Sequence, residues 1–437
     1  METFFYPDET AWPDILRRPE MDQENLGALV RDIFNRIRLE GDKALLDYTE
    51  RYDGYTPERL EISREEMEEA LAKASVPLKN AMDTAMDNIR KFHKAQQGIE
   101  PVVETTPGVT CWRESRPIDS VGLYIPGGTA PLFSSVLMLA VPAAIAGCRE
   151  VILCSPGDEK GKIAPEILYA AGLAGVQRIF RIGGAQAIAA MALGTETVPR
   201  VDKIFGPGNQ YVTAAKQWAQ QTGTAIDIPA GPSEVLVIAD DSARPAWVAA
   251  DLLSQAEHGP DSQVVLVTWS EKLAAEVEKA VKQQLKGLPR REIASRSLQH
   301  GKIILCRDDR EAVKISNIYA PEHLILSVMQ PEKMLRGIRH AGSVFLGHYT
   351  PESAGDYASG TNHTLPTNGY ARVFGGVSLD SYLKKMTVQK ITPEGLNNIG
   401  PAIMTMAEAE GLAGHAEAVR KRRNGEAMPV GRWERMK

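Results

Sequence analysis

Residues 251–261 (DLLSQAEHGPD) contain the first side chains whose types and spacing suit metal binding or proton transfer. Apolar residues recur at helical spacing over 246–257, and Gly259-Pro260 then ends the predicted helix. Gln255 and His258 are three positions apart and share one face, where an amide oxygen and a ring nitrogen can bind one ion. The alternative is a histidine that interacts with the helix dipole and a glutamine that faces water.

Two later segments add proton-handling groups. Glu322 and His323 are adjacent at the predicted start of a strand, so their side chains are expected on opposite faces, one toward water and one toward a substrate. The polar segment 352–363 (ESAGDYASGTNH) is predicted to be a loop that contains Asp356. The alternatives are a surface Glu-His pair that flanks the strand, and an aspartate that serves only a turn.

The composition is that of a globular protein with more than one core: the chain has 437 residues, 43% of them hydrophobic and 24% charged. A formal net charge of -6 argues against nucleic acid or an anionic membrane as the main partner, so a small-molecule substrate is expected. The four cysteines lack metal-binding spacing and are predicted to be buried thiols. The N-terminus has no targeting pattern, and the longest apolar run, near 136–147, is shorter than the roughly 20 residues that span a bilayer. A cytoplasmic protein is therefore expected.

The first hundred residues are predicted to be helical. Apolar residues three or four apart predict two buried stripes, Leu26, Val30, Ile33 and Ile37, then Leu78, Met82, Ala85, Ile89 and Phe92. Ser63 and Glu66 form a predicted capping box that begins a further helix. His93 lies among lysines and is predicted to be solvated.

From residue 121 the pattern changes to short apolar strands that alternate with helices, which predicts parallel sheets. The strands of a first block are predicted at 121–125, 151–154, 178–182 and 203–205, and those of a second at 235–239, 264–268, 302–306 and 323–327. Three strands of the first block end in glycine, which suits a dinucleotide at the carboxyl edge of the sheet. The G-x-G-x-x-G fingerprint is absent, so tight turns are the alternative. From Tyr382 onward the chain is predicted to be helical again, in a tail too short for its own core.

Seven motifs spread over nearly the whole chain are long and compositionally unusual. They are Tyr124-Ile-Pro-Gly-Gly, Gly183-Gly-Ala-Gln186-Ala, Phe205-Gly-Pro-Gly-Asn209, Pro229-Ala-Gly-Pro-Ser233-Glu, Ser254-Gln-Ala-Glu-His258-Gly-Pro-Asp, Pro321-Glu-His323 and Ser353-Ala-Gly-Asp356-Tyr-Ala-Ser-Gly-Thr-Asn-His363. Together they closely resemble the histidinol dehydrogenase family. The resemblance implies oxidation of L-histidinol through L-histidinal to L-histidine, with two NAD molecules reduced and a zinc ion (Zn2+) in each subunit.

The resemblance also implies roles for individual residues. The implied zinc ligands are Gln255, His258, Asp356 and His415, a nitrogen and oxygen set that suits manganese or cobalt equally. The implied NAD contacts are Tyr124, Gln186 and Asn209. The implied substrate contacts are Ser233, His323 and Glu410 together with the metal ligands, and His363 is a further candidate. His323 is the predicted base for the hydroxyl proton, and Glu322 is the predicted carboxylate that activates water to hydrate the aldehyde.

The expected fold is α/β, with two Rossmann-like parallel-sheet domains, a helical N-terminal region and a small helical C-terminal tail, which the resemblance implies crosses to the partner subunit. We expect an N-terminal arm over 1–25 and a first α/β domain over 26–120 plus 235–380 with the metal and catalytic residues. A second α/β domain over 121–234 would take NAD, and 381–437 would form a helical dimerisation region. The resemblance implies a homodimer that shares its active sites, and no nucleic acid or membrane partner is expected.

Three other functions stay open at this point. A sister enzyme could oxidise another hydroxylated metabolite, although Glu410 and His415 favour an imidazole substrate. A metallohydrolase that uses zinc-bound water would leave the glycine-rich strand ends unexplained, and a non-catalytic metal-binding protein would leave Glu322 and His323 without a role.

Overall fold

The computed structural model describes residues 1–19, 24–127, 130–228 and 231–424. The strands in these ranges are β1 (Glu2–Phe5), β2 (Val103–Thr106), β3 (Val109–Pro117), β4 (Ser120–Tyr124), β5 (Glu150–Cys154), β6 (Arg178–Phe180), β7 (Lys203–Phe205), β8 (Ala225–Ile226), β9 (Glu234–Ala239), β10 (Gln263–Thr268), β11 (Lys302–Leu305), β12 (His323–Ser327), β13 (Ser343–Leu346) and β14 (Leu383–Ile391). The α-helices are α1 (Trp12–Ile15), α2 (Glu24–Glu40), α3 (Asp42–Asp53), α4 (Arg64–Lys73), α5 (Val76–Lys94), α6 (Phe133–Ala146), α7 (Pro165–Leu173), α8 (Gly184–Leu193), α9 (Gln210–Gln221), α10 (Pro245–Ala256), α11 (Glu271–Gln284), α12 (Arg291–Ser297), α13 (Asp309–Tyr319), α14 (Pro331–Leu335), α15 (Glu352–Tyr357), α16 (Pro393–Ala409) and α17 (Ala413–Asn424).

Contacts divide the chain into two compact units. The first unit comprises Met1–Gln96 and Ile118–Tyr382, and the second comprises Gln97–Pro117 and Leu383–Lys437. The domain boundaries expected from the sequence remain a prediction.

The first unit contains a six-stranded sheet in the order β1-β11-β10-β9-β12-β13, with every neighbouring pair parallel. β9 and β10 are buried at every position, as expected when helices cover both faces of a parallel sheet. Val235 and Val237 pack on the side of α10 and α11, whereas Leu236 and Ile238 pack on the side of α13. The chain changes direction across the sheet between β9 and β12, which makes these two strands its switch point.

A five-stranded parallel sheet in the order β6-β5-β4-β7-β8 completes the first unit, with its switch point between β4 and β7. Helices α2, α3 and α8 pack on one face, and α5, α6 and α7 pack on the other. The stripe predicted for α2 is confirmed, since Val30, Ile33 and Ile37 are all buried. The capping box of Ser63 and Glu66 at the start of α4 is also confirmed.

The stripe predicted for α5 is wrong at its end. Phe92 is 46% exposed, whereas His93 is buried with its Nδ1 2.9 Å from the carbonyl oxygen of Ile89. A helical stripe can advance by three or four residues, and here it advances by four from Ile89. The prediction that His93 is solvated is therefore wrong, and burial lowers the pKa of its imidazole.

The second unit contains an antiparallel sheet in the order β14-β3-β2, followed by α16 and α17. The tail thus contains the helices expected from the sequence, but it begins with a strand that the sequence did not suggest. Thr392 caps α16 by accepting a hydrogen bond from the backbone N–H of Gly395. A search of the described helices finds none whose length and apolar character would let it cross a bilayer.

Candidate active site

A cavity of about 320 Å³ brings together residues from both sheets of the first unit. Asn209 lines it from beyond the carboxyl end of β7, at the switch point of the five-stranded sheet. Ser233, Glu322 and His323 line it from the amino ends of β9 and β12, at the switch point of the other sheet. The carboxyl edge, where ligands of α/β sheets usually bind, is therefore used by the five-stranded sheet and not by the six-stranded one.

A candidate metal site lies at this cavity. Ligand atoms of His258, Glu352 and Asp356 all lie within 4.8 Å of one another. His258 reaches the site because α10 returns antiparallel to β9 and ends at Ala256, just before it. Glu352 and Asp356 share one face of α15, since they are four residues apart.

Gln255 is fully buried beside this cluster. Its amide satisfies both of its neighbours when the nitrogen donates to the Glu352 carboxylate, 3.3 Å from Oε2, and the oxygen accepts from the backbone N–H of Glu234 at 3.0 Å. The backbone N–H of His258 donates to the carbonyl oxygen of Gln255 at 3.2 Å, which closes the turn after the helix. The structure thus places Gln255, His258 and Asp356 close together, and their role as metal ligands remains a prediction.

Negative charge is crowded around one imidazole in this site. Burial raises the pKa of Glu352 well above its usual value, and the charges of Asp356 and Glu322 raise it further. Burial alone would lower the pKa of His323, but the neighbouring carboxylates, Glu352 first, raise it well above its usual value. Burial would raise the pKa of Asp356, yet its close contact and charge interaction with His323 lower it overall. A divalent cation would relieve this repulsion, so the site fits a metal ion.

Glu322 and His323 both face the cavity, so the prediction that they lie on opposite faces is wrong. His323 Nδ1 lies 3.6 Å from Glu322 Oε2, and its Nε2 lies 3.5 Å from Asp356 Oδ1. Strand alternation does not apply because Glu322 precedes β12, after Ala320 in the left-handed region at φ 52°. Both side chains are nearly buried, which excludes the alternative of a surface pair.

The hydrogen bonds of His323 define which nitrogen carries the proton in its neutral form. Nδ1 lies 3.1 Å from the carbonyl oxygen of Glu234, which can only accept, so Nδ1 is the donor. Nε2 is buried and has no hydrogen-bond partner among the described residues. Neutral His323 therefore presents the lone pair of Nε2 on the side of Asp356.

His363 supports the site from the far side of α15. Its Nδ1 lies 2.9 Å from the carbonyl oxygen of Asp356, and its Nε2 lies 3.0 Å from Ser135 Oγ at the start of α6. Burial lowers the pKa of His363, which favours the neutral ring that this pair of contacts requires. His363 lines the cavity and connects the segment of Asp356 to α6, which packs on the five-stranded sheet.

The predicted NAD contacts lie at the carboxyl edge of the five-stranded sheet. The Tyr124 hydroxyl oxygen accepts from the backbone N–H of Gly184 at 3.0 Å, and Asn209 caps α9 through the N–H groups of Tyr211 and Val212. Gly206 has φ 136°, and a Cβ there would collide with the Tyr124 carbonyl oxygen, so this turn requires glycine.

Gln186 and Tyr124 are both buried, and the amide nitrogen of Gln186 has no partner among the described residues. Of the three predicted NAD contacts, only Asn209 lines the 320 Å³ cavity.

Glu410 and His415 lie in the second unit. Glu410 follows the last residue of α16, and His415 is in the first turn of α17. Both side chains are exposed. Their predicted contacts with metal and substrate remain a prediction.

Comparison with known proteins decides the family. The family model described as Histidinol dehydrogenase matches residues 16–423. The chain belongs to the histidinol dehydrogenase family. The resemblance found in the seven motifs is thereby confirmed.

Relatives agree along almost the full length of the chain. A histidinol dehydrogenase of Bacteroides thetaiotaomicron is 57% identical over 424 residues, which cover 97% of this chain and 99% of the relative. One of Vibrio cholerae is 54% identical over 94% of this chain and 95% of the relative. The crystal structure of histidinol dehydrogenase from Elizabethkingia anophelis superposes with a TM-score of 0.95 at 53% identity, covering 97% of this chain and 98% of that one. The predicted α/β fold with two parallel sheets is confirmed.

The histidinol dehydrogenase motifs did not reveal Glu352, which the structure places in the metal cluster. The segment from 352 was predicted to be a loop, but its first six residues form α15, so Asp356 is a helical residue and not a turn residue. The four-residue spacing of Glu352 and Asp356 was the available signal. It carries meaning only once the segment is known to be a helix.

Proposed function

We propose that this chain is a NAD-dependent histidinol dehydrogenase that oxidises L-histidinol through L-histidinal to L-histidine, the last steps of histidine biosynthesis. The observation that supports this most directly is the presence of Glu322 and His323 in one cavity with His258 and Asp356, which form a cluster with Glu352. Membership of the family supports the same reaction. A protein with this function would be cytoplasmic.

The proposed metal ligands are Gln255, His258 and Asp356, with His415 as the fourth. The crowded carboxylates and the neutral nitrogen and oxygen donors suit one zinc ion per subunit, and they suit manganese or cobalt as well. A bound cation would act as a template that orients the imidazole and amine of the substrate. Glu352 would hold the Gln255 amide beside it, through the hydrogen bond that the two side chains can form.

His323 is the proposed base in both oxidations. Its Nδ1 proton is committed to the Glu234 carbonyl, so in the neutral ring, which a cation on the neighbouring carboxylates would favour, Nε2 takes the proton from the hydroxyl group as hydride leaves the carbon that bears it. Nicotinamide supplies the hydride acceptor in each oxidation. The proposed substrate contacts beside His323 are Ser233 and Glu410 together with the metal ligands, and His363 completes the wall.

Glu322 is the proposed base for the second half of the reaction. The aldehyde has no hydroxyl proton, so it must add water before a second hydride can leave. Glu322 Oε2 lies 3.6 Å from the His323 ring and accepts from the Glu234 N–H at 2.8 Å. Its other carboxylate oxygen is left to accept a proton from the attacking water.

The proposed NAD site lies at the carboxyl edge of the five-stranded sheet, with Tyr124, Gln186 and Asn209 as contacts. Asn209 is the point at which this edge meets the catalytic cavity. Residues 121–234 would supply the NAD side, and 235–380 would supply the metal and catalytic side. The unpartnered amide nitrogen of Gln186 supports the proposal, because a buried donor gains from a ligand acceptor.

The second unit is proposed to be the dimerisation region, whose tail carries Glu410 and His415 into the partner's site. Supporting this, the unit exposes large apolar side chains, including Val102 and Met406 at 65% each. β14 is exposed over most of its length. Such a small unit cannot build an adequate core alone, and a twofold exchange would cover these residues.

Mixed dimers test the crossed tail. His258→Ala and His415→Ala homodimers should each be nearly inactive. If tails cross, a heterodimer refolded from both variants has one site with both defects and one with none, so activity returns. If each tail serves its own subunit, every site keeps one defect and the mixture stays inactive, which would refute the exchange.

The reaction itself is tested by mixing metal-replete protein with L-histidinol and NAD and following NADH. NADH formation is expected with L-histidinol and not with amino alcohols that lack the imidazole. A metallohydrolase would need no nucleotide, and a metal-storage protein would produce no NADH. No NADH from metal-replete protein would refute the proposed function.

A further inference from the structure

The backbone of one residue, Glu234, contacts both proposed catalytic side chains. Its N–H donates to Glu322 Oε2 at 2.8 Å, and its carbonyl oxygen accepts from His323 Nδ1 at 3.1 Å. The N–H and carbonyl of one residue in a parallel strand point to the same neighbouring strand. β12 begins at His323, which pairs with Val235, so the Glu234 N–H lies beyond the first pair of this ladder and the Glu322 carboxylate serves as its acceptor.

The side chain of Glu234 is fixed in turn. It is only 3% exposed, and Arg18 grips it with two hydrogen bonds, Nε to Oε1 at 2.5 Å and Nη2 to Oε2 at 2.8 Å. The backbone N–H of Asn368 donates to Oε1 at 2.7 Å. A bidentate arginine pair is the strongest and most directional ion pair that side chains make.

Arg18 is itself held by α13. Its guanidinium lies 4.0 Å above the centre of the Tyr319 ring, and Nη2 donates to the Tyr319 carbonyl oxygen at 2.7 Å. The Tyr319 hydroxyl donates to Gln263 Oε1 at 2.8 Å, and the amide of Gln263 donates to the carbonyl oxygen of Arg17 at 3.1 Å. These contacts connect the segment after α1 to the amino edge of the sheet.

Arg18 and the Glu234 side chain lie on the opposite face of the six-stranded sheet from the cavity. Side chains alternate along β9, so Glu234 points to the side of Leu236 and Ile238, where α13 packs. His323 points with Ile325 to the side of α10. Arg18 therefore acts on the site through Glu234, by way of its peptide groups and of its carboxylate charge, which Glu322 also senses.

We propose that Glu234, gripped by Arg18, is a positioning residue that fixes the tautomer of His323 and the place of Glu322 through its own peptide groups. The proposal rests on the proposed function. Loss of the Arg18–Glu234 ion pair lets Glu234, the first residue of β9, shift. The side chains of Glu322 and His323 then shift with it. Gln255 is the proposed metal ligand that shares the Glu234 N–H with Glu322. His258 and Asp356 make no contact with Glu234 or Arg18 among the described residues, so metal held by these two ligands should stay bound while turnover falls.

Arg18→Met tests the proposal, because it keeps an apolar stem above Tyr319 and removes the charged fork. Arg17→Met is the matched control, since the Arg17 side chain is 67% exposed and, among the described residues, forms an ion pair with Asp14 alone. We expect kcat of Arg18→Met to fall roughly 100-fold, the effect of misplacing catalytic groups by about 1 Å, with KM values and metal content close to those of the wild type. Arg18→Lys should recover part of the loss, and Arg17→Met should lose nothing.

A second comparison separates positioning from stability. Arg18→Met leaves the Glu234 carboxylate buried without its counter-charge, which lowers Tm. The double variant Arg18→Met/Glu234→Gln removes that charge, so Tm should recover. Its kcat should stay low because the ion pair that positions Glu234 is still absent.

Two results would each overturn the positioning role. The first is a kcat of Arg18→Met within about threefold of the wild-type value, a much smaller loss than misplaced catalytic groups would cause. The second is a kcat of the double variant that recovers together with its Tm. If Arg18→Met does not fold, the double variant and Arg18→Lys decide by the same criteria. An inactive wild type would instead refute the proposed function, and the positioning role with it.

Discussion

Glu322→Gln should separate the two halves of the reaction. The glutamine oxygen can still accept from the Glu234 N–H, so the nearly buried side chain keeps its place, and only its charge and basicity are lost. A positioned base contributes roughly 10²–10⁴-fold to a proton transfer, or about 3–5 kcal/mol of barrier. Oxidation of histidinal to histidine needs that transfer from water. Reduction of histidinal to histidinol does not.

The assay therefore supplies histidinal with NAD in one direction and with NADH in the other, by stopped flow. Oxidation should slow by roughly 10²–10⁴-fold, while reduction changes by less than about tenfold. Glu332→Gln, an exposed carboxylate on α14, is the matched control and should match the wild type in both directions. Equal losses in the two directions would refute the role of Glu322 in water activation and point instead to shared damage at His323.

Three further outcomes are expected. His323→Asn should slow both half reactions by roughly 10²–10⁴-fold in the same assay, because Nε2 is the proposed base in each; loss of only one would contradict this. Glu352→Gln should weaken metal binding by about 10–100-fold in a chelator competition, because the carboxylate supports Gln255 and completes the cluster; unchanged affinity would exclude it from the site. Burial raises the pKa of Asp53 to about 6, so its contribution to stability is complete below about pH 4 and is lost as the pH rises through about 6. Asp53→Asn should therefore raise the free energy of unfolding by about 1–2 kcal/mol near pH 7.5, a figure reduced for the partial exposure of the group, and by about half of that near pH 5. Equal gains in urea titrations at pH 7.5 and pH 5 would contradict the predicted pH dependence.

The two parallel sheets could be predicted from the sequence because strands such as β9 and β10 are continuous apolar runs separated by helices of clear period. The strands that were missed lack this signal. β14 is exposed along most of its length and does not alternate, and β1 is a four-residue edge strand. Their pairing depends on partners far away in the sequence, such as β3 and β11.

The candidate active site also contains some features that the sequence could predict and others that it could not. Gln255, His258 and Asp356 come from distinctive motifs and lie close together in the structure. The facing of Glu322 and His323 could not be predicted, because it depends on the left-handed backbone at Ala320. The part played by Glu234 depends on the register between β9 and β12, which no local pattern reveals.

The stoichiometry of the complete reaction tests the central claim most directly. Metal-replete protein should form two NADH for each L-histidinol consumed, with L-histidine as the product and without accumulation of free histidinal, since both oxidations use His323 in the same cavity. One NADH for each L-histidinol with histidinal accumulating, or histidine formed without NADH, would contradict it.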